Sequence, residues 1–214
     1  MCAVYQPTTN TAWVKQQFGV DWPRIDQAVY PGQNGAILLR SRASGRTAAG
    51  LACFGMIAPW AKDTKLSRHT YNARSETVAT KPSFKDAWRA QQFGVVLADS
   101  FFEPNYESGR AVRWQIKAAD GEPFGIASLW QRWTDPSSGN VVVSFTMLTI
   151  NADGHPVMGR FHRPNDEKRT PLVLPRAAID GWLEATTQSA GDWLDLATLP
   201  ELVCEPAPAV RLPS

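Results

Sequence analysis

Phe93-Gly94-Val95-Val96-Leu97-Ala98, Val112-Arg113-Trp114-Gln115-Ile116-Lys117, Phe124-Gly125-Ile126-Ala127-Ser128-Leu129 and Val141-Val142-Val143-Ser144-Phe145-Thr146-Met147-Leu148-Thr149-Ile150 are runs of β-branched and aromatic residues that follow one another along the chain. Such side chains fit a pleated, half-buried surface. Polar, Gly-containing or Pro-containing turns separate the runs at residues 105–110, at Asp120-Gly121 and at residues 136–140, which predicts strand following strand. Working outward, residues 36–40 read as a further strand that enters a Gly- and Ser-rich hairpin at residues 44–46, and residues 172–174 as one more. Helical signals are short. Asn10 or Thr11 is placed to cap a helix carrying Trp13, Val14 and Phe18 and ending near Gly19. Ser83 opens a capping box with Asp86, ahead of Ala87, Trp88 and Gln91. Pro175 stands where a first helical turn tolerates it, before an apolar stripe of Ile179, Trp182 and Leu183.

The 214-residue length suits one domain, expected over residues 1–205, with a proline-rich, loosely held tail at 206–214 and no internal repeat. The apolar runs are far shorter than the roughly 20 residues that cross a bilayer, so no membrane span is expected. Three cysteines, Cys2, Cys53 and Cys204, show no paired spacing, and no secretory signal opens the chain; a reducing, cytoplasmic location is expected. Net charge is +2, from 22 basic and 20 acidic residues, so any nucleic-acid site must be a local patch. Nine tryptophans suit core filling and base stacking equally.

Cys2 follows Met1 directly, and a small second residue licenses removal of the initiator, which would leave Cys2 as the first residue. An α-amine that titrates near roughly 7.7 to 8.0 and a thiol near about 8.5 would then share one residue. A 1,2-aminothiol condenses with an aldehyde to an imine and closes a five-membered thiazolidine ring, so the chemistry points to aldehyde capture. The plainer reading is an incidental cysteine.

Four segments carry a more specific signal: Met1-Cys2; Tyr71-Asn72-Ala73-Arg74-Ser75-Glu76-Thr77; Phe101-Phe102-Glu103; and Arg160-Phe161-His162, followed by Asp166-Glu167-Lys168-Arg169. Gly55-Met56-Ile57-Ala58-Pro59-Trp60-Ala61 and Pro171-Leu172-Val173-Leu174 support them. In order and character they resemble the SOS response-associated peptidase (SRAP) family, over most of the chain. The resemblance implies a protein that senses abasic sites in single-stranded DNA and crosslinks itself to them through Cys2, with AP lyase and self-processing peptidase activities as further implications. It also implies a bacterial, nucleoid-associated setting. Strand count and family together predict an α+β fold: a curved, mainly antiparallel sheet approaching a barrel, with short peripheral helices.

Expected catalytic residues are Cys2, Asn72, Glu103 and His162. Glu103 would act as general acid and base, with a pKa raised among Phe101, Phe102 and Pro104. His162 would donate a proton to the sugar oxygen or hold a phosphate while charged. Asn72 would bond the sugar or orient Cys2. Expected DNA contacts are Arg74, Arg163 and Arg169 on phosphates, and Trp60, Phe54 and Phe102 on bases. Each has a plainer reading: a surface carboxylate, a structural histidine, a turn asparagine, ordinary ion pairs, core aromatics. Glu76 and Thr77 would buttress the loop.

Three departures from the family pattern stand out. Val4 replaces an expected arginine, Pro104 an expected tryptophan, and the segment from Arg163 to Thr170 is longer. The expected partner is single-stranded DNA bearing abasic sites, met by a monomer without metal or cofactor. Two readings from other classes stay open: an N-terminal cysteine amidohydrolase, and a non-covalent single-strand binder.

Overall fold

A computed structural model describes residues 2–207. In chain order the elements are β1 (Val4–Pro7), α1 (Thr11–Phe18), β2 (Asn34–Arg40), β3 (Thr47–Phe54), β4 (Asn72–Arg74), α2 (Lys85–Arg89), β5 (Phe93–Asn105), β6 (Val112–Ala118), β7 (Phe124–Thr134), β8 (Val141–Asn151), β9 (Arg169–Pro171), β10 (Val173–Leu174), α3 (Ile179–Glu184) and β11 (Leu202–Pro206), with short 3₁₀ turns between. The strands join one sheet in the order β10-β7-β8-β3-β2-β5-β6-β11. A further β5–β7 pairing closes β5, β7, β8, β3 and β2 into a five-stranded barrel. Most pairings are antiparallel, and short parallel contacts join β3 and β4 to β8. This is the α+β fold expected, a curved sheet that closes rather than merely approaches closure.

Alternation along the strands sends side chains to two apolar clusters. Val95, Leu97, Leu129 and Leu148 join α1 and α3 residues in one, and Val96, Ile126, Phe145 and Met147 join Tyr5 and Phe54 in the other. Closure explains why the first half of β5 reads as an unbroken apolar run: both its faces are buried. Gly94 lets β2 approach closely there: a Cβ would lie 3.0 Å from the terminal carbons of Ile37 and Leu39, which would have to shift.

Among the helices, Asn10 caps α1 by accepting from the Trp13 amide, and Gly19 ends it at φ +70°. The Ser83 capping box does not form. Helix α2 begins at Lys85 after Phe84, with no side-chain cap, and the Phe84 and Lys85 amides both donate to the Lys81 carbonyl in the turns before it. The tail also differs: Pro206 is the last residue of β11, paired with Trp114, and the rest of the expected tail, from residue 208, lies outside the described residues. Met1 lies outside them too. No helix among the described residues is long and apolar enough to cross a membrane.

Candidate active site

The second half of β5 organises the site. Beyond Ala98 it leaves the barrel and pairs with β1 on one side and β6 on the other: Val4 faces Phe102, Tyr5 faces Phe101, and Trp114 faces Glu103. The antiparallel β1 register carries Cys2, two residues before Val4, to the Glu103 end of β5. Cys2 is fully buried, and its Sγ donates to the Val4 carbonyl at 3.6 Å.

Asn72 arrives from the opposite direction, on β4, laid parallel along β8. Its Nδ2 donates to the Cys2 carbonyl at 2.9 Å and to the Tyr71 carbonyl at 2.8 Å, so its amide fastens the start of the chain to the barrel wall. Its Oδ1 is buried and has no hydrogen-bond donor among the described residues, an acceptor held ready for a ligand.

His162 comes from the loop before β9. A backbone bridge between Phe161 and Asn105 and a bond from the His162 amide to the Pro104 carbonyl (3.1 Å) tie that loop to the end of β5. The residue sits at φ +64°, unusual without a glycine and held by those ties. Its Nε2 lies 3.1 Å from the Arg169 carbonyl, which only accepts, so Nε2 carries the hydrogen and Nδ1 faces Glu103 Oε2 at 3.7 Å.

Burial sets the protonation states. It pushes the Glu103 carboxyl up to about 7, and the His162 imidazole down to about 4. It also holds the Cys2 thiol well above its ordinary value, with the neighbouring Glu103 charge adding to the effect. Near neutral pH the site therefore contains a neutral imidazole, a neutral thiol and a carboxyl poised between its two forms. His162 is thus no cation for a phosphate, and its one N–H is committed to Arg169. The protein group suited to donate a proton is Glu103.

A cleft of about 500 Å³ opens beside this group, lined by Tyr71, Arg74, His162, Asn165, Asp166, Glu167 and Arg169. A second, of about 340 Å³, lies on the other side of His162, toward Tyr106 and Arg160. Cys2 and Glu103 do not line either one; Tyr71 and His162, which line the first, are their neighbours. A different cleft around Ser75, Glu76 and residues 194–196 contains none of the four expected catalytic residues.

The remaining residues expected to meet DNA divide. Arg74 is half exposed at the cleft, ion-paired to Glu167 at 2.6 Å. Arg163 is exposed, 5.9 Å from the Tyr106 ring, and Phe102 is partly exposed beneath the Arg113 guanidinium, 3.7 Å away. Trp60 is 58% exposed on the loop after β3. Two others lack a free surface. Phe54 is fully buried, stacked on Phe145 and edge-on to Tyr5 and Tyr71. Arg169, 2% exposed, bonds Glu76 with both terminal nitrogens (2.8 and 3.0 Å), Glu167 at 2.7 Å and the Thr149 carbonyl at 2.6 Å. In this conformation neither a base nor a phosphate reaches them, and Glu76 acts as the buttress of Arg169. Tyr71 was assigned no role from sequence. Its hydroxyl is pushed up by burial and then by the charges of Glu103 and Cys2, and its adjacency to Asn72 was the available signal.

Residues 1–208 match the family described as SOS response associated peptidase (SRAP). The chain is 32% identical over 156 residues to the abasic site processing protein YoqW of Bacillus subtilis, covering 72% of this chain and 65% of that one, so it spans just under two thirds of that relative's length. It is 29% identical over 205 residues to the abasic site processing protein YobE of the same organism, covering 94% and 89%. A crystal structure of a protein from Bordetella bronchiseptica superposes with a TM-score of 0.83 at 33% identity, covering 99% of this chain and all of that one. The chain belongs to the SRAP family.

Proposed function

We propose that this protein processes abasic sites in single-stranded DNA, capturing the open-chain sugar aldehyde as a thiazolidine on Cys2 once Met1 has been removed. The observation that carries the reading is the buried Glu103 carboxyl, held near pKa 7 within the electrostatic reach of Cys2 and beside a neutral imidazole. An acid–base group is most effective when it titrates near the working pH. The relatives named as abasic site processing proteins agree with it.

Glu103 in its acid form would protonate the ring oxygen of the closed sugar as the C1′–O bond breaks, the hydroxyl proton passing to His162 Nδ1 or water. The free amine of Cys2 then attacks the aldehyde carbon. As the nitrogen gives up its two protons, one passes to the former carbonyl oxygen and the other, relayed by the Glu103 carboxylate, to the resulting hydroxyl, which leaves as water, and an imine remains; the proton shed on ring opening returns to Glu103 at the end. Addition of Sγ to the imine carbon forms the C–S bond, and the thiol proton passes through the Glu103 carboxylate to nitrogen. One water is lost overall. Asn72 holds Cys2 by its carbonyl and offers Oδ1 to the sugar, and Arg74 receives a phosphate at the cleft. From Cys2 through the last strand, β11, the chain acts as one unit and as a monomer.

The test is incubation with a single-stranded oligonucleotide carrying one abasic site, followed by denaturing electrophoresis. A heat-stable adduct is expected with wild-type protein, none with intact DNA, and none with Cys2→Ala or with an uncleaved residue ahead of Cys2. Equal adduct from Cys2→Ala would overturn the mechanism. Turnover of peptide substrates without any DNA adduct would instead favour the amidohydrolase.

A further inference from the structure

Glu167 holds the Arg74 guanidinium that the proposed function assigns to a phosphate. Its Oε2 binds Arg74 at 2.6 Å and its Oε1 binds Arg169 at 2.7 Å, so one carboxylate bridges two guanidinium groups across the lining of the 500 Å³ cleft. Arg169 does not depend on it, since Glu76 already engages both of its terminal nitrogens. Arg74 has no other ion pair among the described residues, and its side chain is 50% exposed. The two arginines and the two glutamates cancel in charge, and Asp166 on the same lining adds a further negative charge, so the cleft offers a polyanion no net positive charge. The loop that bears Glu167 is held shut by crossed ties. Lys168 Nζ donates to the Arg163 carbonyl at 2.7 Å, and the His162 ring donates to the Arg169 carbonyl.

We infer that Glu167 is a specificity-determining residue, a built-in competitor for Arg74 that a DNA phosphate must displace. It weakens the non-covalent hold on every strand and leaves retention to the covalent step, so intact DNA dissociates while an abasic strand is trapped. This rests on the reading that Arg74 receives a phosphate.

The experiment measures binding of an intact single-stranded oligonucleotide by wild type, Glu167→Gln, Arg74→Gln and the double variant, across a salt series, with thermal melts as a check on folding. Glutamine keeps an acceptor for Arg169. Releasing an exposed ion pair of this kind corresponds to about two- to fivefold in affinity, so Glu167→Gln should bind about that much more tightly at low salt. The log–log salt slope should flatten by about 0.7 in Arg74→Gln, one phosphate contact fewer on a single strand. In the Arg74→Gln background the gain should vanish. An equal gain in that background would mean that Glu167 repels DNA generally, and weaker binding by Glu167→Gln would mean that it supports Arg74; either overturns the inference. If Arg74→Gln alone leaves binding unchanged, the phosphate contact proposed for Arg74 fails as well, whereas its loss of binding together with an unaffected Glu167→Gln sinks only the competitor.

Discussion

The two halves of β5 share one backbone and little else. From Phe93 to Ala98 the strand lies between β2 and β7, and every side chain is buried and apolar. From Ser100 to Asn105 it lies between β1 and β6, its outward residues Phe102 and Pro104 are partly exposed, and it buries Ser100, Glu103 and Asn105. The first half is stabilised by what it excludes, the second by how it places polar groups next to the start of the chain. Barrel closure thus supplies a rigid base from which a short extension aims a costly buried carboxyl.

Breaking the barrel half should have the larger effect. Phe93 packs edge-on to Trp88 and against Trp182 at a ring distance of 4.9 Å, and is 1% exposed. Phe93→Ala should therefore cost about 3 to 5 kcal/mol in denaturant unfolding, while the folded fraction crosslinks abasic DNA at the wild-type rate in the cold. A loss of crosslinking in the folded variant would show that the two halves are not separable.

In the site half the sign should reverse. Glu103 titrates near 7 when folded and near 4.5 when unfolded, so between those values the folded state binds more protons and stability falls as pH rises. Glu103→Gln removes that penalty. It should raise stability at pH 8 by up to about 3 kcal/mol, the equivalent of the shift, with the gain fading toward pH 4.5, and it should abolish crosslinking. His162 opposes this trend. Its folded value near 4 lies below the unfolded 6.5, so its contribution is complete above 6.5 and is lost as pH falls through 4. Unfolding titrations of Glu103→Gln should then lose the falling limb between about pH 4.5 and 7 and keep the rising one, to which His162 and the lowered carboxyls of Glu76 and Glu167 contribute. A flat profile at both ends would refute the assigned protonation states.

This contrast also explains what could be read from residues alone. Strands long enough to show apolar runs were legible, as was the α1 cap at Asn10, because both signals are local. Strands β1, β4, β9 and β11 carry three to five residues and exist only through their partners. Pro104 has no backbone donor, and the strand nonetheless continues through it to Asn105, paired with β6. Ser83 has the right neighbours in sequence, but the chain turns on the Lys81 carbonyl through Phe84 and Lys85, so the helix starts after Phe84 and not after Ser83. At the site, Cys2, Asn72, Glu103 and His162 were found by motif, and the structure places them together. What motif could not reveal was direction. Phe54 faces Phe145, ninety-one positions later, and Arg169 turns inward to Glu76, whereas Arg74 on the same network turns out. The protonation of His162 was likewise hidden, since it follows from burial.

The smallest predicted effect lies on the exposed side of the site half. Arg113 on β6 pairs with Pro104, and its guanidinium carbon sits 3.7 Å over the Phe102 ring. A stacked cation on a partly exposed ring contributes about 0.5 to 1 kcal/mol. Part of that is offset here, because Arg113 Nε is buried without a hydrogen-bond acceptor among the described residues. Arg113→Met keeps the apolar stem over the ring and removes both the charge and the orphaned donor. Its stability should therefore drop by less than about 1 kcal/mol, by the same amount at pH 5 and pH 8. A loss of several kcal/mol would mean that the β6 flank carries the site half as firmly as β2 and β7 carry the barrel, and the distinction between the two halves of β5 would collapse.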